Sequence, residues 1–424
     1  MLYYTKGSET GSLSNVETEE AIFSVLDKLG RRKKVLAVPP DITRFHSKAG
    51  EITQLVHQYY GENLTDILPA TGTHYPMTED EISTMYGDIP HSLFRIHRWK
   101  EDLHTFGEVP SEFIHEVSEG KLNFSWPAQT NRLLVEGKHD MILSIGQVVP
   151  HEVTGMANYN KNIFVGAGGK GGIHKSHYLG AVYGMERMMG RADTPVRKVL
   201  NYASENLANQ LPLVYVLTVI GKDGDNNLVL KGLYIGDDYE CFKQAAELSL
   251  KVNFIMLDKP LKKVVVYLDP MEFKTTWLGN KSVYRTRMAI ADEGELIVLA
   301  PGLKEFGEDK EIDKLIRRYG YVTTPEVLEF VEKDPELRNN LSAAAHLIHG
   351  SSENRFKITY CPGHITKEEI EGVNFSYASL EEMSKIYDHE KLKDGYNTMP
   401  NGEEIFFISN PALGLWAFKD KFKD

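Results

Sequence analysis

The feature that most constrains the fold is a repeated pair of segments, in which a short apolar run is followed by an amphipathic stretch. The runs VLAV (35–38), ILPA (67–70) and MILSI (141–145) are typical of buried strands, and helices are predicted over about 48–60 and after Thr78. Strands that alternate with helices predict a parallel sheet covered by helices. Ligands of such sheets bind beyond the carboxyl ends of the strands, where this chain places polar clusters.

A second alternation of strands and helices begins after Pro260, with strands predicted at 263–268 and 296–299. We therefore predict an α/β protein of two domains with mainly parallel sheets and an active-site cleft between them. The predicted domains are an N-terminal catalytic and cofactor-tethering domain, 1–258, and a C-terminal α/β domain, 259–424, that closes over the substrate. The length of 424 residues fits two or three domains of roughly 150 residues each. A cleft between domains is a common place for a small-molecule site.

The composition argues against several classes of protein. Sixty acidic residues against 48 basic ones give a net charge of −12, which disfavours nucleic acid as the main partner. The two cysteines are far apart and outside any CxxC pattern, so we expect a reducing compartment and no disulfide framework. Neither a signal-peptide pattern nor an apolar run of about 20 residues is present. We expect a cytoplasmic protein without a membrane partner.

Two polar clusters follow the first two predicted strands. PPDITRFHSKAG (39–50) contains Asp41, Thr43 and Arg44, and the planar guanidinium of an arginine suits a carboxylate or a phosphate. A helix cap by the aspartate or the threonine, with a solvated arginine, explains this stretch equally well. PATGTHYPMTEDE places His74 on a turn, where an imidazole can act as acid or base near neutral pH or be an ordinary loop residue.

The third cluster is HEVTGMANYNKNIFVGAGGKGGIHKSH (151–177), with three histidines and three lysines around a glycine-rich run. His174 and His177 are spaced i, i+3, and imidazole suits nickel, copper, zinc and iron. HEVTG begins like HExxH, but Gly155 stands where the second histidine should be, so the zinc-protease motif is absent.

The glycine-rich run GAGGKGG matches neither GxxxxGK[ST] nor GxGxxG. A phosphate cradle built from backbone amides with Lys170 or Lys175 is nevertheless compatible with it. Among the other histidines, His97 is compatible with either a position near the cleft or a surface helix. His346 and His349 form an i, i+3 pair without obvious partners, which we interpret as structural.

The order DITR, ATGTH and H…K…H resembles the nickel-pincer lactate racemase family, whose members racemise or epimerise 2-hydroxy acids. In that family a histidine is followed ten residues later by a lysine and sixteen residues after that by another histidine. His151, Lys161 and His177 reproduce both intervals. The resemblance covers most of the first predicted domain, and the second only in general layout.

The resemblance implies a cofactor, pyridinium-3,5-bisthiocarboxylic acid mononucleotide, which holds nickel through one carbon and two sulfurs. Lys161 would carry this nickel-pincer nucleotide through a thioamide, and His177 would be the nickel ligand supplied by the protein. His74 and His151 would be the paired acid and base, one for each face of the substrate carbon. Loading would require the enzymes that synthesise the cofactor.

The resemblance also implies contacts to the substrate and to the nucleotide phosphate. Asp41 and Arg44 match family positions at the substrate, with Arg44 as the partner of its carboxylate. The phosphate would be held by Thr43 and by the run Gly166–Gly172, including Gly166, Gly168 and Gly169.

The chain departs from the family pattern at two places. Asn158-Tyr159-Asn160 precedes Lys161 where the family has glycines and a basic residue, although asparagine tolerates positive φ better than most residues. In the second domain Lys281, at the start of a helix predicted over 281–291, matches a substrate-contacting lysine. The family glutamine three positions before it is replaced by Leu278, next to Trp277. These differences favour a larger or more polar 2-hydroxy acid than lactate, such as a sugar acid.

Two other functions compete with this interpretation. One is a hydrolase or lyase that binds zinc or a similar ion through His151, His174 and His177. The other is a non-catalytic module that binds a nucleotide or anion and in which the histidines are incidental.

Overall fold

The computed structural model describes residues 1–225 and 227–422. The chain divides into two compact units, and each unit uses two segments of the chain. The first unit comprises 1–179 and 188–253, and the second comprises 180–187 and 254–424. The predicted domain limits 1–258 and 259–424 stay predictions. Within the described residues, every helix is too short or too polar to cross a membrane.

The elements before residue 254 alternate between strands and helices. The strands are β1 (Leu2–Gly7), β2 (Val35–Val38), β3 (Leu64–Ile67), β4 (Leu103–Val109), β5 (Trp126–Asn131), β6 (Met141–Gln147), β7 (Pro150–His151), β8 (Gly155–Met156), β9 (Leu213–Lys222) and β10 (Leu228–Gly236). The α-helices are α1 (Asn15–Leu29), α2 (Ala49–Tyr60), α3 (Glu79–Tyr86), α4 (Ser111–Val117), α5 (Leu133–Glu136), α6 (Lys170–Tyr183), α7 (Met185–Met188), α8 (Pro195–Tyr202) and α9 (Tyr239–Asn253). Shorter helical segments include a 3-10 helix, Ile42–Ser47, and a π-helix, Asn162–Gly166.

The main sheet of the first unit has the strand order β1-β10-β9-β6-β2-β3. The strands from β9 to β3 are parallel to one another. At the other edge of the sheet, β10 pairs antiparallel with β9, and β1 pairs antiparallel with β10. Because β2, β3 and β6 are parallel neighbours, their carboxyl ends lie at the same edge of the sheet. The apolar side chains of these strands pack with those of α1 and α2 into one core.

Two of the three predicted strands in this unit are confirmed, and the third is displaced. The predicted strand 67–70 is wrong in position, since β3 ends at Ile67. The next residues stay alongside β2 through the bonds Leu68 N–H to Ala37 O (2.8 Å) and Ala70 N–H to Pro39 O (2.7 Å). Pro69 between them has no N–H to continue the ladder. A further feature that the sequence did not indicate is the antiparallel pairing of β4 with β5.

The elements after residue 253 form the second sheet and its covering helices. The strands are β11 (Phe254–Leu257), β12 (Leu261–Tyr267), β13 (Ile290–Ala300), β14 (Lys357–Pro362), β15 (Ser376–Tyr377), β16 (Gly395–Thr398), β17 (Glu404–Ile408) and β18 (Leu415–Phe418). The helices are α10 (Thr276–Gly279), α11 (Lys281–Tyr284), α12 (Lys310–Tyr319), α13 (Thr324–Lys333), α14 (Pro335–Arg338), α15 (Leu341–His349), α16 (Lys367–Gly372) and α17 (Leu380–Ile386). The sheet order is β15-β14-β13-β12-β17-β16, parallel except for β16. The prediction of an α/β protein with mainly parallel sheets is thus confirmed.

The helix predicted over 281–291 is wrong beyond Tyr284. Ile290 already belongs to β13, where it pairs with Leu261 of β12. The ladder therefore overrides the local helical pattern. The intervening turn buries Arg287, whose Nε lies 2.8 Å from Oε1 of Glu186 in the segment 180–187 of the same unit.

Candidate active site

Asp41 and His74 form a hydrogen-bonded pair at the carboxyl ends of β2 and β3. One carboxylate oxygen of Asp41 accepts the N–H (3.0 Å) and the hydroxyl (2.5 Å) of Thr43 and so caps the 3-10 helix Ile42–Ser47. The other oxygen lies 2.7 Å from Nδ1 of His74. The side chain that caps the helix is therefore also the partner of the candidate catalytic residue His74.

The pair defines the tautomer of His74. A carboxylate can only accept, so Nδ1 carries a proton, and the neutral form of this imidazole has its lone pair on Nε2. Burial acts to raise the pKa of Asp41, but His74, the Thr43 hydroxyl and the charge of Arg44 outweigh it and hold that pKa below its usual value. Asp41 is therefore an anion that orients a basic nitrogen.

His151, in β7, has the opposite tautomer. Its Nδ1 accepts the N–H of Val153 at 3.1 Å, which leaves the proton on Nε2. Burial lowers the pKa of His151 well below the usual value, and the positive charges of Lys161 and Arg44 act in the same direction, while Glu152 opposes them. His151 is thus a neutral imidazole with an N–H to donate.

Lys161 lies between two asparagines that are both held in place. Asn162, the first residue of the π-helix, donates from Nδ2 to Val38 O (2.8 Å), at the end of β2, and to Ser144 Oγ (3.1 Å), in the middle of β6. Asn160 donates from Nδ2 to Oδ1 of Asn201 at 2.7 Å. Burial lowers the pKa of Lys161 to about 8, and the charge of Arg44 contributes. About a tenth of this amine is therefore unprotonated at pH 7, far more than for an ordinary lysine.

The turn before Lys161 has left-handed backbone at two successive residues. Asn158 has φ 63°, as the sequence allowed, but Tyr159 also has φ 58°. The Tyr159 ring packs on Phe242, with ring centroids 5.3 Å apart. Gly146 of β6 makes room for this turn, because a Cβ there would lie 2.1 Å from Nδ2 of Asn158.

His177 is on α6, and its Nδ1–H donates to the carbonyl of Ile173 at 2.6 Å. That bond leaves the lone pair of Nε2 available to a metal, which is the usual arrangement of a histidine ligand. Burial lowers the pKa of His177 to about 4, so the imidazole is neutral, as metal binding requires.

His174 lies one turn before His177 and is also buried, with its ring centroid 6.2 Å from that of Trp99. Burial lowers its pKa to about 3. The described residues contain no group of three or more His, Cys, Asp or Glu side chains that could hold a metal ion. His151, His174 and His177 therefore do not form the three-histidine site that a hydrolase or lyase would need.

The glycine-rich run is packed closely against its neighbours. A Cβ on Gly166 would lie 2.9 Å from the Cβ of Ala70, on Gly168 1.9 Å from Phe164 O, and on Gly169 2.6 Å from Gln129 Oε1. These glycines are required by packing, whatever ligand they also serve.

His97 takes part in holding this run. Its Nε2–H donates to Gly168 O at 3.0 Å, and its Nδ1 accepts from Nδ2 of Asn131 at 3.1 Å. Burial lowers the pKa of His97 to about 4. His97 is therefore a neutral residue that supports the glycine run.

The first turn of α6 offers donors for an anion. The amides of Gly171 and Gly172 make no hydrogen bond within the described part of the chain. Such amides at a helix N-terminus favour a phosphate. Of the two candidate lysines, Lys175 is engaged with Ser125 O at 2.6 Å, while Lys170 is exposed. Thr43 gives its hydroxyl proton to Asp41, and its predicted contact with phosphate stays a prediction.

Two polar atoms near these strand ends escaped the sequence analysis. Oγ1 of Thr71, in the loop after β3, and Oε1 of Gln147, the last residue of β6, are buried without a hydrogen-bond partner in the described structure. Buried polar atoms are nearly always paired, so both are candidates for contact with a ligand. The position of Thr71 within ATGTH was the only available signal.

The second unit contains the remaining predicted residue, Lys281. It is buried at the start of α11, with Nζ 3.9 Å from Oε1 of Glu272. Nearby, the Trp277 ring stacks on His346 with centroids 4.7 Å apart, and Nε2 of His346 lies 2.8 Å from the Tyr321 hydroxyl. The expectation that His346 is structural agrees with these contacts.

Comparisons with known proteins give one family model, over part of the chain, and similar solved structures. Residues 19–189 match the model of the lactate racemase N-terminal domain. No match was found among curated proteins. A crystal structure of a Thermotoga maritima protein is 25% identical, with a TM-score of 0.83, and the alignment covers 97% of this chain and 100% of that one. The lactate racemase apoprotein from Thermoanaerobacterium thermosaccharolyticum has a TM-score of 0.67 at 16% identity over 91% of this chain and 87% of that one, a likeness of fold.

Proposed function

We propose that this lactate racemase-like protein is a racemase or epimerase that inverts the C2 centre of a 2-hydroxy acid, with a nickel-pincer nucleotide tethered to Lys161. The supporting observation is the complementary orientation of two imidazoles: Nδ1 of His74 donates to Asp41, so that its Nε2 is the nitrogen that can act as a base, whereas Nδ1 of His151 accepts, so that its Nε2 carries a proton. Inversion at an alcohol carbon needs a base for the hydroxyl proton on either face of the carbon. At least two basic groups are therefore required, and the two histidines can supply them.

The residues around Lys161 fit the proposed cofactor. The partly neutral amine of Lys161 suits an acyl-type bond, and the free Nε2 of His177 suits a metal as a single protein ligand. The unpaired amides of Gly171 and Gly172 suit the nucleotide phosphate. When bound, the nickel-pincer group would supply the capacity for reversible hydride transfer at C2.

The side chains of the chain itself handle the proton and hold the substrate. Nε2 of His74 takes the hydroxyl proton, and the carboxylate of Asp41 stabilises the imidazolium that results. His151 serves the opposite face, where its Nε2–H first donates to the substrate oxygen. Arg44 holds the substrate carboxylate through its planar pair of donors. The proton returns to the same oxygen when C2 is restored, so the overall change is inversion alone.

The proposed substrate is larger or more polar than lactate, such as a sugar acid. This part of the proposal rests on the second unit, where Leu278 replaces a side chain with hydrogen-bonding capacity and Trp277 offers an aromatic face. Lys281 is proposed to contact the substrate as well.

The decisive experiment measures intact mass and nickel content of protein made with and without the enzymes that synthesise the cofactor. We expect a mass adduct on Lys161 and about one nickel per chain only in the first sample. Lys161→Arg should abolish the adduct. A wild-type protein that stays unmodified in cells proven to make the cofactor would contradict the proposal and favour a non-catalytic anion-binding module.

Two histidines on α6 provide a matched comparison for the metal. His177→Ala should lose nickel, whereas His174→Ala, one turn earlier on the same helix, should retain it. A screen of 2-hydroxy acids for inversion at C2 by the loaded protein would then identify the substrate. Turnover should be lost in His74→Ala and in His151→Ala.

A further inference from the structure

The guanidinium of Arg197, on α8, is fully buried but has no carboxylate partner. Its exposure is 0%, and every acceptor that it contacts in the described residues is a backbone carbonyl or an amide oxygen. Burying a charge without a counter-charge is costly, and packing alone would be served better by an apolar side chain. Arg197 is therefore retained for what its donors hold.

All the hydrogen bonds of the Arg197 guanidinium go to the segment just before Lys161. Nη2 donates to Met156 O at 2.7 Å, and Nη1 donates to Asn158 O at 3.2 Å and to Oδ1 of Asn160. The planar fork of an arginine can bind several acceptors in fixed directions, which the single ammonium of a lysine cannot do equally well.

Two aromatic rings hold the guanidinium from the other side. Its central carbon lies 4.2 Å from the ring centre of Phe242 and 5.8 Å from that of Tyr159. Such contacts stabilise a cation most when water is excluded. Tyr159 therefore contributes both the strained backbone and part of the surface that holds Arg197.

The segment that Arg197 holds has a conformation that it would not keep alone. Asn158 and Tyr159 both have left-handed backbone, which is unfavourable for residues other than glycine and persists only where the surroundings enforce it. Two contacts from α8 hold this backbone conformation in place: the hydrogen bonds of Arg197, and the bond from Asn160 to Asn201. On the other side of Lys161, the Asn162 side chain is hydrogen-bonded to β2 and β6.

We propose that Arg197 is a positioning residue for Lys161: by fixing the left-handed turn Asn158–Tyr159 it sets the direction from which the lysine amine enters the site. The proposal rests on the proposed function only in that Lys161 carries the cofactor. The placement of the turn can be tested without any cofactor.

The test compares Arg197→Lys with Leu200→Ala, a buried apolar truncation on the same helix that touches none of these bonds. In unloaded protein, amide hydrogen exchange is measured for peptides that cover 157–163. We expect Arg197→Lys to exchange at least tenfold faster there than wild type. Leu200→Ala should lower the melting temperature without selectively accelerating that peptide.

The second measurement is the fraction of chains with the adduct on Lys161 after co-expression with the cofactor-synthesis enzymes. We expect at least a fivefold lower fraction in Arg197→Lys than in wild type, and a normal fraction in Leu200→Ala. Normal loading of Arg197→Lys, or an equal loss in both variants, would overturn the proposal. If Arg197→Lys does not fold, Asn160→Ala removes one acceptor and should give the same changes at smaller size.

The two proposals fail in different ways. Absence of the adduct in wild type would refute the proposed function but leave the exchange measurement valid. Unchanged exchange at 157–163 in Arg197→Lys would refute the positioning role, whatever the wild type carries.

Discussion

Replacing Asp41 with asparagine tests whether the carboxylate sets the tautomer of His74. The carboxylate oxygen that faces Nδ1 of His74 at 2.7 Å would become an N–H₂ group, so two donors would face each other. His74 can relieve this only by moving its proton from Nδ1 to Nε2, which removes the lone pair that acts as the base. The other oxygen keeps both bonds from Thr43, so we expect the fold to survive.

The size of the effect follows from the bonds involved. A hydrogen bond to a charged group contributes about 1.5–3 kcal/mol, and a buried donor left unsatisfied costs about 1–3 kcal/mol. Together they disfavour the productive tautomer by about 3–6 kcal/mol, which corresponds to a loss in turnover of about 10²–10⁴-fold. The free energy of unfolding should change by only about 1–2 kcal/mol, because the replacement has the same shape.

The assay has a direct and a functional part. Nitrogen-15 chemical shifts of the His74 ring in unloaded protein report which nitrogen carries the proton, and turnover of the 2-hydroxy acid is measured in loaded protein. Asp66→Asn is the matched control, since Asp66 accepts from Nε2 of His139 at 2.9 Å in another buried pair. A His74 that keeps its proton on Nδ1 in Asp41→Asn, with turnover within threefold of wild type, would refute the reasoning.

Three further predictions concern stability and ligand retention. The pKa values of His97 and His177 are lowered to about 4, below that of a histidine in an unfolded chain, so unfolding takes up protons. The free energy of unfolding should therefore fall as pH drops from about 6.5 to about 4, by up to about 1.4 kcal/mol per pH unit for each of these two histidines. Urea titrations at pH 7 and pH 5 should show this loss, and His97→Gln should show a smaller loss because one titrating group is gone; equal stability at both pH values would contradict the prediction. Gly155→Ala should lower the free energy of unfolding by at least about 2 kcal/mol, because φ is 78° and the new Cβ would lie 2.1 Å from Arg191 O. Gly224→Ala is the control: no atom lies within 4 Å of the Cβ that it would add, so the same denaturation assay should show almost no change. Thr71→Val should leave the unloaded protein at least as stable, since its buried hydroxyl is unpaired, yet lower the fraction of chains that retain cofactor; a thermal shift that shows clear destabilisation of the unloaded variant would count against this role.

The sequence was sufficient for the fold class because strand–helix alternation is a local signal. It also identified Asp41 and His74 one by one, but their contact joins loops 33 residues apart and could not be read from either loop. The tautomers depend on backbone groups, the amide of Val153 and the carbonyl of Ile173, which no side-chain pattern reveals.

Other parts of the site had no sequence signal of their own. Arg197 is one more arginine on an amphipathic helix until the turn at 156–160 folds against it. The predicted helix 281–291 failed for a related reason, because pairing between β12 and β13 fixes Ile290 from 29 residues away in sequence. Long-range contacts therefore decided these two features.

The second unit includes the eight residues 180–187, which lie inside the stretch of sequence that forms the first unit. A single break in the sequence therefore cannot separate the two units. A fragment that begins at residue 254 would lack Glu186 and would leave Arg287 buried without the carboxylate at 2.8 Å. Glu353, whose Oε1 lies 3.9 Å from Nη2 of Arg287, would remain as a more distant partner, and the loss of the close one is destabilising. Neither expression of the second unit alone nor its exchange between relatives can therefore use a single cut. A chimera would have to carry both segments of the unit.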